Sequence, residues 1–316
     1  MIKKIFIILI FSLFQTAIFA QITFPSSISA DHPRILADKD GQTALQQKIN
    51  SVAWAKSTFD AIKANIDPYV TRHQTDTAYI VSRLQMYWRT HCTNVYVKDD
   101  KYVRADGYAP IPTVRFAGAR DWATVYKTPT IADIIPNMDS TLIYLYNGST
   151  NKWEWANPAV TGQIIENINR TILSLARDAA FLYWYTGENK YAKFSQDIFK
   201  TYMYGMYYLN PPIDIGKTNT IIGLQTFEVI HDSHLEVVSL CYDFLYNYFI
   251  DNPQETEIYT AVLKKWANQI IVNGSGGNWN IFQAKFITHA ALALENDATY
   301  ADNKGIQYFL DLIFNK

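Results

Sequence analysis

Leu182-Tyr183-Trp184-Tyr185-Thr186-Gly187-Glu188-Asn189-Lys190-Tyr191-Ala192-Lys193-Phe194 is a place where two helical patterns meet. Gly187 sits where a helix needs a residue free to leave the right-handed region. Lys190, Tyr191 and Ala192 then start the next helix. Upstream, Ile164, Ile165, Ile168, Ile172, Leu175, Ala179 and Leu182 recur at helical spacing over residues 161–184. Downstream the pattern carries on to 204. A second segment has the same shape: Ala291-Leu292-Ala293-Leu294-Glu295-Asn296-Asp297, then Thr299-Tyr300-Ala301, then an apolar helix up to Phe314. Between them, residues 235–248 and 256–272 flank the turn Asp251-Asn252-Pro253. Helix pairs joined by short turns, repeated along a chain, predict an all-α fold, here an incomplete (α/α) toroid of helical hairpins. No run of alternating residues predicts a β domain.

Outward from this core the chain is less regular. A helical pattern over residues 38–66 uses Leu45, Ile49, Val52, Trp54, Phe59 and Ile62, and Asp67-Pro68 is expected to break it. Asp76 or Thr77 opens another, to about residue 90. Residues 92–160 hold Gly107, Pro110, Pro112, Gly118, Pro129, Pro136, Gly148 and Pro158, so a long irregular insertion is expected on the helical scaffold. Its Arg104, Arg115, Arg120, Trp122, Tyr126, Lys127, Trp153 and Trp155 are the residue types that suit a cleft for an anionic sugar; scattered surface charge is the plainer reading for any single one.

The N-terminus predicts the compartment. Lys3 and Lys4 precede an apolar run over residues 5–19, and Ala17-Ile18-Phe19-Ala20 has the form of a cleavage site. Residues 1–20 are therefore expected to be a signal peptide, and residues 21–316 one domain of a secreted or periplasmic protein. The run is short for a membrane span, and no membrane association is expected after cleavage. The chain ends directly after a helix with no capping element, so the array is expected to be truncated at its C-terminus.

Of 316 residues, 49% are hydrophobic and 18% charged, which is a globular composition. A formal charge of −1 gives no global field for nucleic acid, and no nucleic-acid partner is expected. Aromatics reach 15%, which suits stacking on ring-shaped ligands as well as core filling. Cys92 and Cys241 are the two cysteines, and sequence alone leaves their pairing open.

Two segments are candidates for chemistry. The first is Gly276-Gly277-Asn278-Trp279-Asn280-Ile281-Phe282-Gln283. The glycines end the preceding element, Asn278 stands at an N-cap position, and a helix follows. Ile281, Phe282, Phe286, Ala290, Leu292 and Leu294 are expected to form its buried face. Amide side chains at such a helix start can face an anion together with free backbone N–H groups, or can simply cap the helix. The second is Gln225-Thr226-Phe227-Glu228-Val229-Ile230-His231-Asp232-Ser233-His234. His231 and His234 are open to three readings: a catalytic base or partner for an acidic substrate, a zinc pair lacking a further ligand set, or structural histidines. No metal site and no cofactor is put forward. Nucleotide-binding glycine motifs, a nucleophile elbow and a zinc-protease helix are all missing.

These residues resemble the heparinase II/III-like and alginate-lyase-like polysaccharide lyases, and most of all the ulvan- and chondroitin-cleaving lyases of family 37. The likeness lies in Asp31-His32-Pro33-Arg34-Ile35-Leu36, Gly162-Gln163-Ile164-Ile165-Glu166 with Asn169-Arg170, Tyr183-Trp184-Tyr185-Thr186-Gly187 with Lys190-Tyr191-Ala192-Lys193-Phe194, Phe227-Glu228-Val229-Ile230-His231-Asp232, and Gly277–Gln283. The resemblance covers the helical N-terminal part of such enzymes. It implies β-elimination at a uronic acid of an anionic polysaccharide. It gives Asn278, Asn280 and Gln283 to neutralisation of the carboxylate, His231 and then His234 to proton transfer or charge neutralisation, and Arg115, Arg120, Trp122 and Trp279 to substrate binding. Two other expectations stand beside it: a toroid glycoside hydrolase acting on unsaturated uronides, which would use paired acids, and a non-catalytic carbohydrate-binding remnant.

Overall fold

The computed structural model describes residues 28–38, 40–81, 84, 96–97, 143–147, 152–156, 164–209, 233–274 and 277–315. They are mostly helical. The helices are α1 (Gly41–Ser51), α2 (Ala53–His73), α3 (Ala78–Val81), α4 (Ile164–Thr186), α5 (Asn189–Tyr208), α6 (His234–Phe249), α7 (Pro253–Asn273), α8 (Trp279–Ala293) and α9 (Ile306–Asn315). Three short strands, β1 (Tyr96–Val97), β2 (Ile143–Asn147) and β3 (Lys152–Ala156), make a small sheet in the order β1-β2-β3. β1 runs parallel to β2, and β3 antiparallel. Part of the expected irregular insertion is thus a sheet, built where Ile143, Tyr144 and Tyr146 supply aromatic and β-branched strand formers.

The helices form two layers. Lys285 and His289 of α8 face Glu236 of α6, and Tyr246 of α6 bonds Glu295 just after α8, so these two helices run side by side in the same direction. Cys241 meets Leu173, and Phe244 packs on Phe181 and Trp184, which puts α4 parallel to α6. In the other layer Gln196 and Lys200 of α5 bond Glu255 at the start of α7, while Tyr202 packs on Trp266 farther along it. α2 joins this layer: Asp67 accepts from Tyr191 and His73 pairs with Asp197. The layers run in opposite directions, because Ser195 of α5 reaches back to Ala176 of α4, and Phe249 and His234 of α6 meet Tyr259 and Trp266 of α7 in reverse order.

Several of these helices form for a readable reason. α4 ends because Gly187 adopts φ +73° and donates its N–H to Tyr183 O. α7 begins where Asn252 accepts from Glu255 N and Pro253 needs no partner for its missing N–H. α5 and α6 are buried on most sides, with Phe194, Ile198, Phe199, Tyr202, Met203, Leu235, Val238, Tyr242 and Leu245 in the shared core.

Three sequence expectations are corrected. Asp67-Pro68 does not break a helix; the break lies at Val52, which is extended, and α2 runs through Pro68. The bond lost at Pro68 is outweighed by burial of Ile66, Tyr69, Val70 and His73 on the core. Thr299-Tyr300-Ala301 does not start a helix; a 3-10 turn (Asp297–Thr299) comes first and α9 begins at Ile306. Asp297 Oδ1 accepts from Gly305 N and Tyr308 N, which caps α9 from a distance. Ile281 and Phe282 do not join the buried face of α8; they are 73% and 50% exposed, whereas Phe286, Ala290 and Leu294 are buried.

Candidate functional site

The direction of the helices sorts the connections onto two ends. At one end the turns are short: residues 187–188 join α4 to α5, and 250–252 join α6 to α7. The starts of α4, α6 and α8 and the ends of α2, α5 and α7 share the other end. The α5–α6 connection, which carries His231, and the turn before α8 leave from that end. His231 itself, with Arg115, Arg120, Trp122 and Cys92, lies outside the described residues.

The start of α8 is a polar and aromatic corner. Gly277 takes φ +80°, a conformation that suits glycine, and its carbonyl accepts from Asn280 N. Asn278 occupies the N-cap position with a helical backbone, φ −65° and ψ −18°, and its side chain does not turn back to cap α8. Asn278 and Asn280 are both exposed. Between them Trp279 is 42% exposed, and its ring lies 5.9 Å from that of Phe282 at 44°. Val272, near the end of α7, is exposed as well. Two amides and a tilted aromatic pair on an open helix start can stack on a flat-sided ring and donate hydrogen bonds to an oxygen beside it.

Gln283 lies elsewhere. It is 5% exposed, and its Oε1 is 2.7 Å from the point where a Cβ on Gly274 would stand. His234 opens α6 at the same end but is fully buried, its ring 6.4 Å from that of Trp266 and nearly parallel to it. Of the residues singled out from sequence, Asn278, Trp279 and Asn280 are brought together on the surface, while Gln283 and His234 are withdrawn into the packing. Cys241 is fully buried, and burial pushes its thiol far above the ordinary range.

Sequence reasoning missed two clusters. Glu236 in the first turn of α6 pairs with Lys285 at 2.8 Å, and His289 Nε2 lies 3.8 Å from the same carboxylate. The i, i+4 spacing of Lys285 and His289 was the available signal. The other cluster gathers His32, Arg34, Asp243, Tyr246 and Glu295. His32 Nδ1 lies 2.6 Å from Asp243 Oδ1, and its ring stacks on Tyr246 at 4.0 Å. Arg34 spends its guanidinium on the carbonyls of Ser29, Leu292 and Leu294. Tyr246 donates to Glu295. Burial alone would raise the Glu295 pKa, but His32, the Arg34 charge and the Tyr246 hydroxyl together hold it below its ordinary value. This second cluster sits at the short-turn end, away from Asn278; its Arg34 donates to backbone carbonyls, its His32 and Tyr246 donate to Asp243 and Glu295, and it fastens the chain.

Among the described residues no group of three or more His, Cys, Asp or Glu could hold a metal ion, and no helix is long and apolar enough to cross a membrane. The chain matches no protein-family model, no curated protein and no solved structure. The likeness to polysaccharide lyases therefore rests on the residues quoted above.

Proposed function

We propose that this chain is the helical part of a secreted polysaccharide lyase, a hairpin array curving toward an incomplete toroid, that cleaves a uronic-acid-containing polysaccharide by β-elimination. The observation that carries the reading is the corner at the start of α8: exposed Asn278 and Asn280 on either side of the exposed Trp279, backed by Phe282. In β-elimination a base takes the C5 proton, the electron pair forms the C4–C5 double bond, the bond from C4 to the glycosidic oxygen breaks, and that oxygen takes up a proton. The C5 proton becomes acidic only when the uronate carboxylate is neutralised. In this reading Asn278 and Asn280 donate to that carboxylate as negative charge develops on it, and a preorganised donor of this kind is worth roughly 3–4 kcal/mol. Trp279 supplies a face for the sugar ring. The resemblance gives proton transfer to His231, with Arg115, Arg120 and Trp122 holding the chain of sugars.

The test is incubation of the purified chain with ulvan, chondroitin sulfate, heparan sulfate and alginate, following the ultraviolet absorbance of the unsaturated uronate. A rise with one of them is expected, and Asn278→Ala should lower its rate about 10²–10³-fold. No rise with any substrate, from a folded sample that still binds one of them, would replace the lyase by a carbohydrate-binding protein.

A further inference from the structure

We infer that Gln283 is a positioning residue, which braces the α7–α8 turn so that Asn278 and Asn280 face outward; this rests on the reading of that turn as the site. Gln283 falls one turn after Asn280 on α8, yet the two amides have opposite surroundings. Asn280 is exposed, whereas Gln283 is 5% exposed. Ile281 and Phe282, just before it, are exposed too, so a polar side chain is directed inward next to apolar ones that are directed outward. That arrangement is the reverse of what burial of apolar surface favours, and it persists only where the buried polar group has a use.

The use lies at Gly274, the residue that follows the end of α7. A Cβ there would stand 2.7 Å from Gln283 Oε1 and 2.9 Å from the carbonyl of Ile270. The Gln283 amide therefore occupies the space that a side chain at residue 274 would need, and the glycine is what leaves that space open. Four residues later Asn278 begins the exposed corner. Contact on Gly274 from one side, and the helical register of α8 from the other, fix both ends of the segment that presents the two asparagines. Gln283 thus acts on substrate only through them.

The experiment compares wild type, Gln283→Ala, Gln283→Glu and Gly274→Ala by hydrogen exchange of the amides at 274–282, thermal melting and lyase kinetics. The exchange readout needs no substrate. With Gln283→Ala, exchange in that segment should rise about tenfold or more while α4 and α6 keep their protection. kcat should fall while KM rises by a smaller factor, and Gln283→Glu, which keeps the shape, should recover most of the wild-type exchange and rate. Gly274→Ala should loosen the same amides, and its effect on melting should shrink in a Gln283→Ala background. Unchanged exchange in Gln283→Ala would overturn the brace, as would a loss of kcat with exchange and KM intact, since that pattern belongs to a group touching the substrate. Loosened amides in a chain whose wild type shows no elimination would sink the lyase reading and leave the brace standing.

Discussion

Asp243 shows how much one side chain can hold. It sits on α6, fully buried, and its two oxygens accept from His32 Nδ1, Arg34 N and Ile35 N. A backbone stretch with no regular structure is thereby given the partners that a helix or sheet would otherwise supply. Arg34 then reaches across to the end of α8 through the carbonyls of Leu292 and Leu294. Removing the carboxylate orphans two backbone N–H groups and strands an imidazole in the core. Asp243→Ala should cost about 3–5 kcal/mol, the range for breaking a buried pair from one side, read as a lower denaturant midpoint. The amides of Arg34 and Ile35 should lose exchange protection in step. A loss under 1 kcal/mol would mean that the stretch is held by Arg34 instead. In the sequence, Asp31-His32-Pro33-Arg34 offers a point of likeness and a proline that disfavours helix at His32. Nothing in it announces a partner 209 positions away, because a long-range hydrogen bond leaves no local pattern.

Elements were legible where local signals agreed with the packing, and illegible where the packing overrode them. α7 is the first kind. Asp251-Asn252-Pro253 reads as a helix start, and Asn252 Oδ1 does accept from Glu255 N. Asn252→Ala should cost about 1 kcal/mol, seen as a small fall in melting temperature with an unchanged helical signal; no change would show that Pro253 and the packing of Tyr259 suffice. α2 is the second kind. Pro68 is a strong local breaker, but Ile66, Tyr69 and Val70 are core residues on both sides of it, and the apolar face is worth more than one backbone bond. The stretch over residues 299–306 failed for a different reason. Its start is fixed by Asp297 reaching forward to Gly305 and Tyr308, and no side chain fits at Gly305, where a Cβ would meet Glu295 O. The candidate site divides the same way. Glycines followed by a helical pattern placed Asn278, Trp279 and Asn280 correctly at a helix start. The inward turn of Gln283 and the outward turn of Ile281 and Phe282 depend on how α8 rolls against α6 and α7, and single-chain periodicity does not encode that roll.

At the scale of the molecule the two ends of the array differ in what they carry. The short-turn end carries the polar fastening of residues 31–36 to α6 and α8, while the opposite end carries the amide and aromatic corner. Two carboxylates tie elements distant in sequence: Glu295 to His32, Arg34 and Tyr246, and Asp197 to His73 of α2. Burial would raise both pKa values, yet hydrogen bonds and neighbouring cations outweigh it and hold both below their ordinary values. In the unfolded chain the same groups titrate at about 4.3 for Glu and 3.9 for Asp. The folded state therefore binds fewer protons than the unfolded state as the pH enters that range. Stability is fully present above those values and falls as the pH drops through the lower folded values. Thermal melts from pH 7 to pH 3 should accordingly show a melting temperature that is level at first and then declines below about pH 5. Glu295→Gln and Asp197→Asn should each lower the plateau and flatten the decline. Because the two groups lie on different elements with no partner in common, the double variant should show close to the sum of the two flattenings. A decline that keeps its full slope in the double variant would mean that other carboxylates carry the acid response, and that these two pairings are not what holds α2 and residues 31–36 onto the array.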